Sequence, residues 1–316
     1  MGVRERVLVR VGLAGRWVRA LAWATLVANS VLVVTGGAVR LTASGLGCPT
    51  WPRCTEGSYT PHGELDLHAA IEFGNRMLTF VLVAIAIATF VSAWGTRRRD
   101  LRGMATVLAL GIPAQAVIGG ITVLTDLNPW VVSLHLLCSL AIIGLSVRFL
   151  LSVDAPLPAP RSGPLAVLAW LTFATAWVVL YVGTVVTGSG PHAGDLDAKR
   201  NGLDPLQWSQ LHADVVFLLV GLTVGLLLAV QAAGRPDARR VVVVLLAIEL
   251  GQGAIGFVQY FTDLPEVLVG FHMLGAALVS ASVTWVLLRV RRPAVDATRP
   301  VAAGATQTGA AHTSEA

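Results

Sequence analysis

Three of the seven histidines lie inside long apolar segments, where ionisable side chains are rare. His135, His212 and His272 each lie within about two helical turns of one end of such a segment. An ionisable group inside a membrane costs free energy, so its presence indicates a functional role. A single buried histidine is commonly a satisfied core residue, but three at matching depth favour metal ligation. Two imidazoles that face each other in a helical bundle are typical axial ligands of a planar haem.

The sequence repeats itself at an offset of 137 residues. The two copies are QAVIGGITVLTDLNPWVVSLHLL and QGAIGFVQYFTDLPEVLVGFHML, and their register pairs His135 with His272 and Asn75 with His212. Each copy belongs to a unit of four apolar segments. Because four is an even number, both units have the same orientation. We therefore predict two four-helix bundles related by a pseudo-twofold axis along the membrane normal.

The two halves carry different candidate ligands. His212 and His272 are the candidate axial pair of a haem in the C-terminal half. The N-terminal half offers His135 and, opposite it, Asn75, which is a poor iron ligand. This asymmetry predicts one cofactor site and one more open site that is better suited to a substrate.

Glu72 is the second residue of the segment IEFGNRM and lies on the same helical face as Asn75. Its carboxylate is a candidate proton acceptor, or a group that stabilises a developing cation. The alternative is a structural salt bridge to Arg76 or Arg40. These two arginines either bind haem propionates through forked hydrogen bonds or anchor the helices at the membrane interface.

Glu249 lies in the middle of the seventh apolar segment, with Gln252 on the same helical face. A charge at this depth is costly, so we expect the carboxyl to be protonated or paired. Both a structural hydrogen bond and a proton route remain open.

Two of the three cysteines, Cys48 and Cys54, lie in the loop sequence CPTWPRC. On the outer side of a membrane such a pair forms a disulfide, and we predict one here. The alternative is a redox-active pair, because a small exposed ring is easily reduced. Cys138 is interpreted as a packing residue.

The composition explains what must position these side chains. Of the 316 residues, 55% are hydrophobic and 13% are charged, whereas a soluble domain carries about a quarter charged residues. This excludes a soluble globule, a disordered chain and a nucleic-acid-binding protein. A membrane-spanning helix needs about 20 apolar residues. The predicted fold is therefore all-α and integral to the membrane, with eight spans at 18–39, 70–95, 103–124, 130–152, 164–187, 207–232, 239–260 and 265–290.

Basic residues predict the orientation, because they accumulate on the cytoplasmic side of the cell membrane. Alternate loops and the two ends of the chain hold 18 of the 23 lysines and arginines, so both termini are predicted to be cytoplasmic. The basic start is read as part of a retained helix and its flank, because no signal-peptide cleavage site is evident. The predicted division is a cytoplasmic N-terminus (1–17), an N-terminal half (18–152) with an outer loop (40–69), a cytoplasmic linker (153–163), a C-terminal half (164–290) and a disordered tail (291–316).

Together these features resemble the heme A synthase family over about residues 18–290. The resemblance rests on GLGCPTWPRC, IEFGNRM and the histidines of SLHLL, QLHAD and GFHML, in this order. It implies a membrane enzyme that oxidises a methyl group of haem O to a formyl group, through a hydroxymethyl stage, for cytochrome oxidase biogenesis. It also implies haem b on His212 and His272, substrate haem O beside His135, a catalytic Glu72, and a cysteine pair tied to activity or haem transfer.

One position departs from the family pattern. Many members have histidine where this chain has Asn75. The substrate iron would then be held by His135 alone, by His135 and a group such as His68, or in a five-coordinate state.

Two other classes of function compete with this interpretation. A membrane b-type cytochrome for electron transfer would need two histidine pairs, and Asn75 counts against it. A transporter built from parallel repeats would show helix breaks at the membrane midplane. The expected partners are a haem O-producing farnesyltransferase, cytochrome oxidase assembly factors, a membrane electron donor and a second copy of the chain; nucleic acid is not expected.

Overall fold

The computed structural model describes residues 3–60, 67–154, 156–160, 162–195 and 197–292, with side chains from residue 17 onward. This part of the chain is helical and contains no β-strand beyond an isolated bridge between Thr55 and Ser58. The all-α prediction is therefore confirmed. In the described residues the helices are α1 (Val3–Leu41), α2 (Leu67–Gly95), α3 (Arg99–Leu124), α4 (Pro129–Val153), α5 (Pro164–Ser189), α6 (Pro205–Ala232), α7 (Pro236–Phe261) and α8 (Glu266–Val290).

Prolines and capping side chains set several helix starts. Four helices, α4 to α7, begin with proline. The backbone N–H of the first helical residue has no partner within the helix, so proline, which lacks this group, is well suited to the position. The Asn128 side chain accepts a hydrogen bond from the backbone N–H of Trp130, and Asp204 caps α6 in the same way. The helix starts therefore lie within a few residues of the predicted spans. α1 is the exception, since it starts at Val3 and runs through the segment predicted as the cytoplasmic N-terminus.

Each of the eight described helices contains a stretch long and apolar enough to cross a membrane. Large apolar side chains lie on their outward faces; Phe80, Phe217 and Phe257 are all more than half exposed. In water such a surface would be unfavourable, but hydrocarbon is its natural solvent. The chain is a multi-pass membrane protein. The prediction of disorder after residue 290 concerns mostly residues outside the described part.

The packing of the helices is the same in both halves. α1 packs against α2 and α4, and α3 packs against α2 and α4; α5 to α8 repeat this closed arrangement. The halves meet through α4 with α8, α1 with α8, and α4 with α5. Exchanging the first four helices with the last four leaves this set of contacts unchanged. This symmetric set of helix contacts supports the predicted pseudo-twofold axis. The axis itself stays a prediction.

The two Thr-Asp-Leu turns of the repeat share one backbone conformation. Asp126 and Leu127 have φ angles of 50° and 56°, and Asp263 and Leu264 have 55° and 56°. The leucine N–H bonds to the carbonyl five residues back in both turns, at 2.8 Å and 3.1 Å. These left-handed angles are uncommon for side chains other than glycine. The sequence repeat is thus also a repeat of local structure.

Small and hydroxylated residues let the two halves approach closely. Ser280 of α8 donates a hydrogen bond to the backbone carbonyl of Leu140 in α4, at 2.7 Å. A Cβ added at Gly144 of α4 would lie 2.9 Å from the hydroxyl oxygen of Thr284. Such contacts are typical of helix packing in membranes, where the hydrophobic effect does not drive helices together. They hold α4 and α8 in one seam between the bundles.

Candidate functional site

The C-terminal bundle brings two of the predicted histidines together in an edge-to-face arrangement. The imidazole centroids of His212 on α6 and His272 on α8 are 6.5 Å apart, and the rings are inclined by 71°. A bond from a metal to an imidazole nitrogen is about 2 Å long, so two axial imidazoles have centroids roughly 6 Å apart. The observed distance therefore fits one metal ion between the two rings.

A second observation supports ligation at this pair. The Nδ1 atoms of His212 and His272 are buried and make no hydrogen bond of standard geometry among the described residues, although the backbone of Val179 lies close to the His212 imidazole. A buried polar atom without a partner costs about 1–3 kcal/mol, so proteins usually satisfy it. No group of three or more His, Cys, Asp or Glu side chains in the described part is arranged to hold a metal ion. The pair thus suits a metal whose remaining ligands come from a macrocycle, as in a haem.

Each of the three histidines faces a glycine on a neighbouring helix. A Cβ added at Gly183 would lie 3.1 Å from the Cε1 atom of His212, and one at Gly119 would lie 3.2 Å from that of His135. The corresponding distance from Gly256 to His272 is 3.9 Å. Sequence reasoning missed these glycines. The signal was available, because both repeat copies have glycine sixteen residues before the histidine.

The N-terminal bundle places one imidazole, that of His135, where the C-terminal bundle places two. Its Nδ1 atom is also buried and unpartnered among the described residues. At the position that matches His212 in the repeat, the Oδ1 atom of Asn75 accepts a hydrogen bond from the Thr35 hydroxyl at 2.8 Å. His68, the other candidate ligand, is exposed and lies 3.0 Å from the Ser44 hydroxyl in the outer loop. The two halves are therefore different at the level of their ligands.

The backbone of His135 is held by a glutamine that the repeat preserves. The side-chain amide of Gln115 on α3 donates to the carbonyl of His135 at 3.2 Å and to the hydroxyl of Ser139 at 2.8 Å. These bonds tie α3 to α4 at the depth of the histidine. They restrict the position of the imidazole relative to Gly119.

Glu72 and Arg76 form an ion pair that holds the first outer loop. Glu72 is only 5% exposed, and its Oε2 atom accepts a bond from the Cys48 N–H at 2.6 Å. Arg76 donates from Nε to Oε1 of Glu72 at 3.1 Å. It also donates to the backbone carbonyls of Cys48 at 2.9 Å and of Thr50 and Arg53 at 3.2 Å. The salt-bridge interpretation of Glu72 thus matches the structure, with Arg76 as the partner.

The loop held by this pair packs against α3 of the N-terminal bundle. Cys48 and Cys54 form the predicted disulfide, and both are buried. Trp51, between them, packs its indole directly against Gly120 of α3, where any side chain would overlap it. Gly120 adjoins Gly119, which faces His135. The disulfide loop therefore places an aromatic ring against α3, one residue along the helix from the glycine that faces His135.

Arg40 joins the two outer loops. Its Nε atom donates to the carbonyl of His192 at 2.6 Å, and its Nη2 atom donates to that of Thr187 at 2.9 Å. Nearby, the Gly45 N–H bonds to the Gly194 carbonyl at 2.8 Å. Arg40 comes from the N-terminal half, whereas its acceptors belong to the C-terminal half. The propionate contacts predicted for Arg40 and Arg76 stay predictions; in this structure their donors reach protein groups.

Comparison with known proteins assigns the chain to a family. A sequence model of the COX15-CtaA family, described as cytochrome oxidase assembly protein, matches residues 19–194. A Heme A synthase of Staphylococcus epidermidis is 25% identical over 218 residues, which are 63% of this chain and 71% of that protein. A Heme A synthase of Lysinibacillus sphaericus is 32% identical over 182 residues, which are 53% of this chain and 58% of that protein. Since the family match spans more than half of the 316 residues, the chain belongs to the COX15-CtaA family of cytochrome oxidase assembly proteins.

Proposed function

We propose that this protein is a heme A synthase, an oxidoreductase that converts a methyl group of haem O to a formyl group through a hydroxymethyl stage. The haem A formed would be supplied to cytochrome oxidase. The family and the names of the relatives support this function. The observation that carries it is the contrast between a histidine pair with ring centroids 6.5 Å apart in one bundle and a single histidine in the other bundle, whose loop carries the disulfide.

We propose that His212 and His272 hold a haem b in the C-terminal bundle. Their spacing and their unpartnered buried Nδ1 atoms fit this group. A haem b would supply one-electron transfer at this position. The protein would hold this group with the imidazoles of His212 and His272, and it supplies the close approach of Gly183 and Gly256 and a surrounding of apolar helices.

We assign the N-terminal bundle to the substrate. His135 would bind the substrate iron, and the Asn75 amide, engaged with Thr35, would leave the opposite position without an imidazole. The loop that carries Trp51 would exclude water from this site. Glu72 is proposed as the catalytic carboxylate, whose negative charge favours a cation developing at the methyl carbon. Arg40 and Arg76 are the proposed partners of the haem propionates.

The electron-transfer alternative is supported by the same facing pair, since two axial histidines are typical of b-type cytochromes. The second half counts against it, because Asn75 occupies the position that matches His212. The proposed partners are a haem O-producing farnesyltransferase, cytochrome oxidase assembly factors, a membrane electron donor and a second copy of the chain. Both termini are proposed to lie on the cytoplasmic side of the membrane.

Haem analysis tests the proposal directly. The chain is co-expressed with a haem O-producing farnesyltransferase in a host that makes no haem A, and the extracted haems are separated by chromatography. A haem A peak that is lost in His272→Ala is expected. Haem O alone, with haem b bound to the purified protein, would favour the electron-transfer alternative.

A further inference from the structure

The C-terminal bundle buries a carboxyl group that none of the proposed steps uses. Glu249 of α7 is 3% exposed, and its Oε1 atom accepts a hydrogen bond from the Thr223 hydroxyl of α6 at 2.9 Å. Its Oε2 atom is buried and has no hydrogen-bond partner among the described residues. A second oxygen without a partner is costly for a purely structural carboxyl.

Helix geometry relates this carboxyl to the histidine pair. Glu249 lies seven residues before Gly256, which faces His272. Seven residues return to the same helix face after about 10 Å of rise. Thr223 lies eleven residues after His212, which is also close to a whole number of turns. The Glu249–Thr223 pair therefore lies on the histidine-bearing faces of the bundle, further from the outer surface.

A glutamine lies between the two levels. Gln252, one turn from Glu249 on the same face of α7, packs its amide directly against Gly275 of α8. Gly275 is three residues after His272. Polar side chains thus continue along α7 from the carboxyl toward the histidines. Toward the inner end, the neighbours are apolar and fully buried, namely Leu226, Val242 and Leu245.

The other charged and titratable groups of these helices lie nearer the helix ends or at the histidine site. Glu249 bonds to Thr223 of α6, and α7 packs against α6 and α8. Among the described residues of α6, α7 and α8, Glu249 is the one titratable side chain that lies between the level of the histidines and the inner ends of the helices. The titratable groups are His212 and Asp214 on α6, Asp237, Arg239, Arg240 and Tyr260 on α7, and Glu266, His272 and Arg289 on α8.

The N-terminal half has no such carboxyl at the matching position. At the repeat offset of 137 residues, Glu249 corresponds to Ile112 and Thr223 to Ala86, both buried. The glutamine is kept, since Gln252 corresponds to Gln115. The carboxyl and its hydroxyl partner therefore belong to the half that has two facing histidines.

We propose that Glu249 is a proton acceptor coupled to one-electron reduction of the group held by His212 and His272. One electron enters from a one-electron reductant such as a membrane quinol, and one proton binds to the Glu249 carboxylate; both leave on reoxidation. The proton offsets the added negative charge, which is costly inside a low-dielectric bundle. The inference depends on the proposed haem b site.

The test is a redox titration of the purified full-length protein at a series of pH values, followed by its b-type absorbance. In the wild type the midpoint potential is expected to fall as pH rises, because the reduced state binds the extra proton. Glu249→Gln, which keeps an acceptor for Thr223, should make the profile flat while the b-type spectrum remains. The matched control is Glu266→Gln, an exposed carboxyl on α8, which should keep the wild-type slope.

Redox-difference infrared spectroscopy gives a second measurement. A protonated-carboxyl band that appears on reduction should be absent in Glu249→Gln and present in Glu266→Gln. The proton-acceptor role is contradicted if the pH slope of the midpoint potential or the carboxyl band persists in Glu249→Gln, or if the wild-type potential does not change with pH. These outcomes leave the proposed haem site unaffected. A wild-type protein that binds no b-type haem contradicts the proposed haem site, and the coupling with it.

Discussion

At the scale of the residue, the two bundles differ in how their buried polar groups are satisfied. The imidazoles of His212 and His272 each keep a nitrogen without a protein partner, whereas both carboxylate oxygens of Glu72 accept hydrogen bonds. The first pattern is typical of ligation and the second of positioning. Glu72 therefore has a role in holding the disulfide loop in addition to the catalytic role proposed for it.

Replacement of Glu72 tests this double role. Glu72→Gln should bind haem b normally but accumulate haem O, because it loses the ion pair with Arg76 and the charge beside the substrate site. Hydrogen bonds to charged groups contribute about 1.5–3 kcal/mol, so haem A formation should fall at least roughly tenfold. Arg76→Gln should have a smaller effect, since the Cys48 N–H still holds the carboxylate. Extracted-haem chromatography measures both.

The matched control for these variants is Glu56→Gln, because Glu56 is an exposed carboxylate in the same loop. It should produce haem A at the wild-type level. Full haem A production by Glu72→Gln would contradict the proposed role of this carboxylate.

Reciprocal exchange of the matched positions tests the ligand assignment. His212→Asn should remove the six-coordinate b-type spectrum, because one axial nitrogen is lost. Asn75→His should add a second six-coordinate haem signal, because it places an imidazole opposite His135. Visible and electron paramagnetic resonance spectra of the purified variants measure the change. His192→Asn, in the outer loop, serves as the control; an unchanged spectrum in His212→Asn would contradict the axial pair.

At the scale of the element, the helices create room for the imidazoles. Gly119, Gly183 and Gly256 lie on α3, α5 and α7, and each faces a histidine on the helix that follows in the chain. A side chain at these positions would occupy space used by the ring. The histidine positions therefore depend on the rotation of two adjacent helices, which the glycines permit.

Gly183→Val tests this dependence. Its side chain would meet the His212 ring, since a Cβ alone would lie 3.1 Å from Cε1. Overpacking commonly costs about 1–3 kcal/mol, so haem b affinity should fall roughly tenfold. Gly221→Val on α6 is the control, because a Cβ there meets nothing within 4 Å. Haem content per purified protein measures the effect, and equal content in both variants would show that the glycine is not required.

At the scale of the whole molecule, the two bundles are joined at two levels. Within the membrane, Ser280 bonds to the backbone of Leu140 across the seam between α8 and α4. On the side of the predicted outer loops, Arg40 bonds to the carbonyls of Thr187 and His192. Both sites lie toward the side on which these loops meet. A rearrangement of these loops would therefore change contacts in both halves of the molecule.

The predicted orientation has a direct test in single-cysteine labelling. Lys199→Cys should react with a membrane-impermeant thiol reagent in intact cells, because it lies in the second outer loop. Arg99→Cys should react only after permeabilisation, because it lies at the start of α3, in a basic segment that is predicted to be cytoplasmic. Both positions are exposed, so access depends on the side of the membrane. Labelling of Arg99→Cys in intact cells would show that the orientation in the membrane is the opposite of the predicted one.

The amino-acid sequence by itself determined the number of spans, the repeat and the depth of the three histidines. Span number follows from apolar length, because the bilayer requires about 20 residues per helix. The depth of His135 and His272 follows from their position in the repeat, since rise per residue is constant along a helix. The disulfide was predictable from two cysteines six residues apart in one predicted outer loop.

Only the tertiary structure decided which side chains meet. The facing of His212 and His272, the contact of Gly183 with a ring, and the partners of Arg40 and Arg76 all depend on helix rotation and loop path. Long arginine side chains reach several acceptors from one backbone position, so spacing does not select among them. The pairing of Glu249 with Thr223 likewise needed the packing of α6 against α7, because the two residues are 26 positions apart in the sequence.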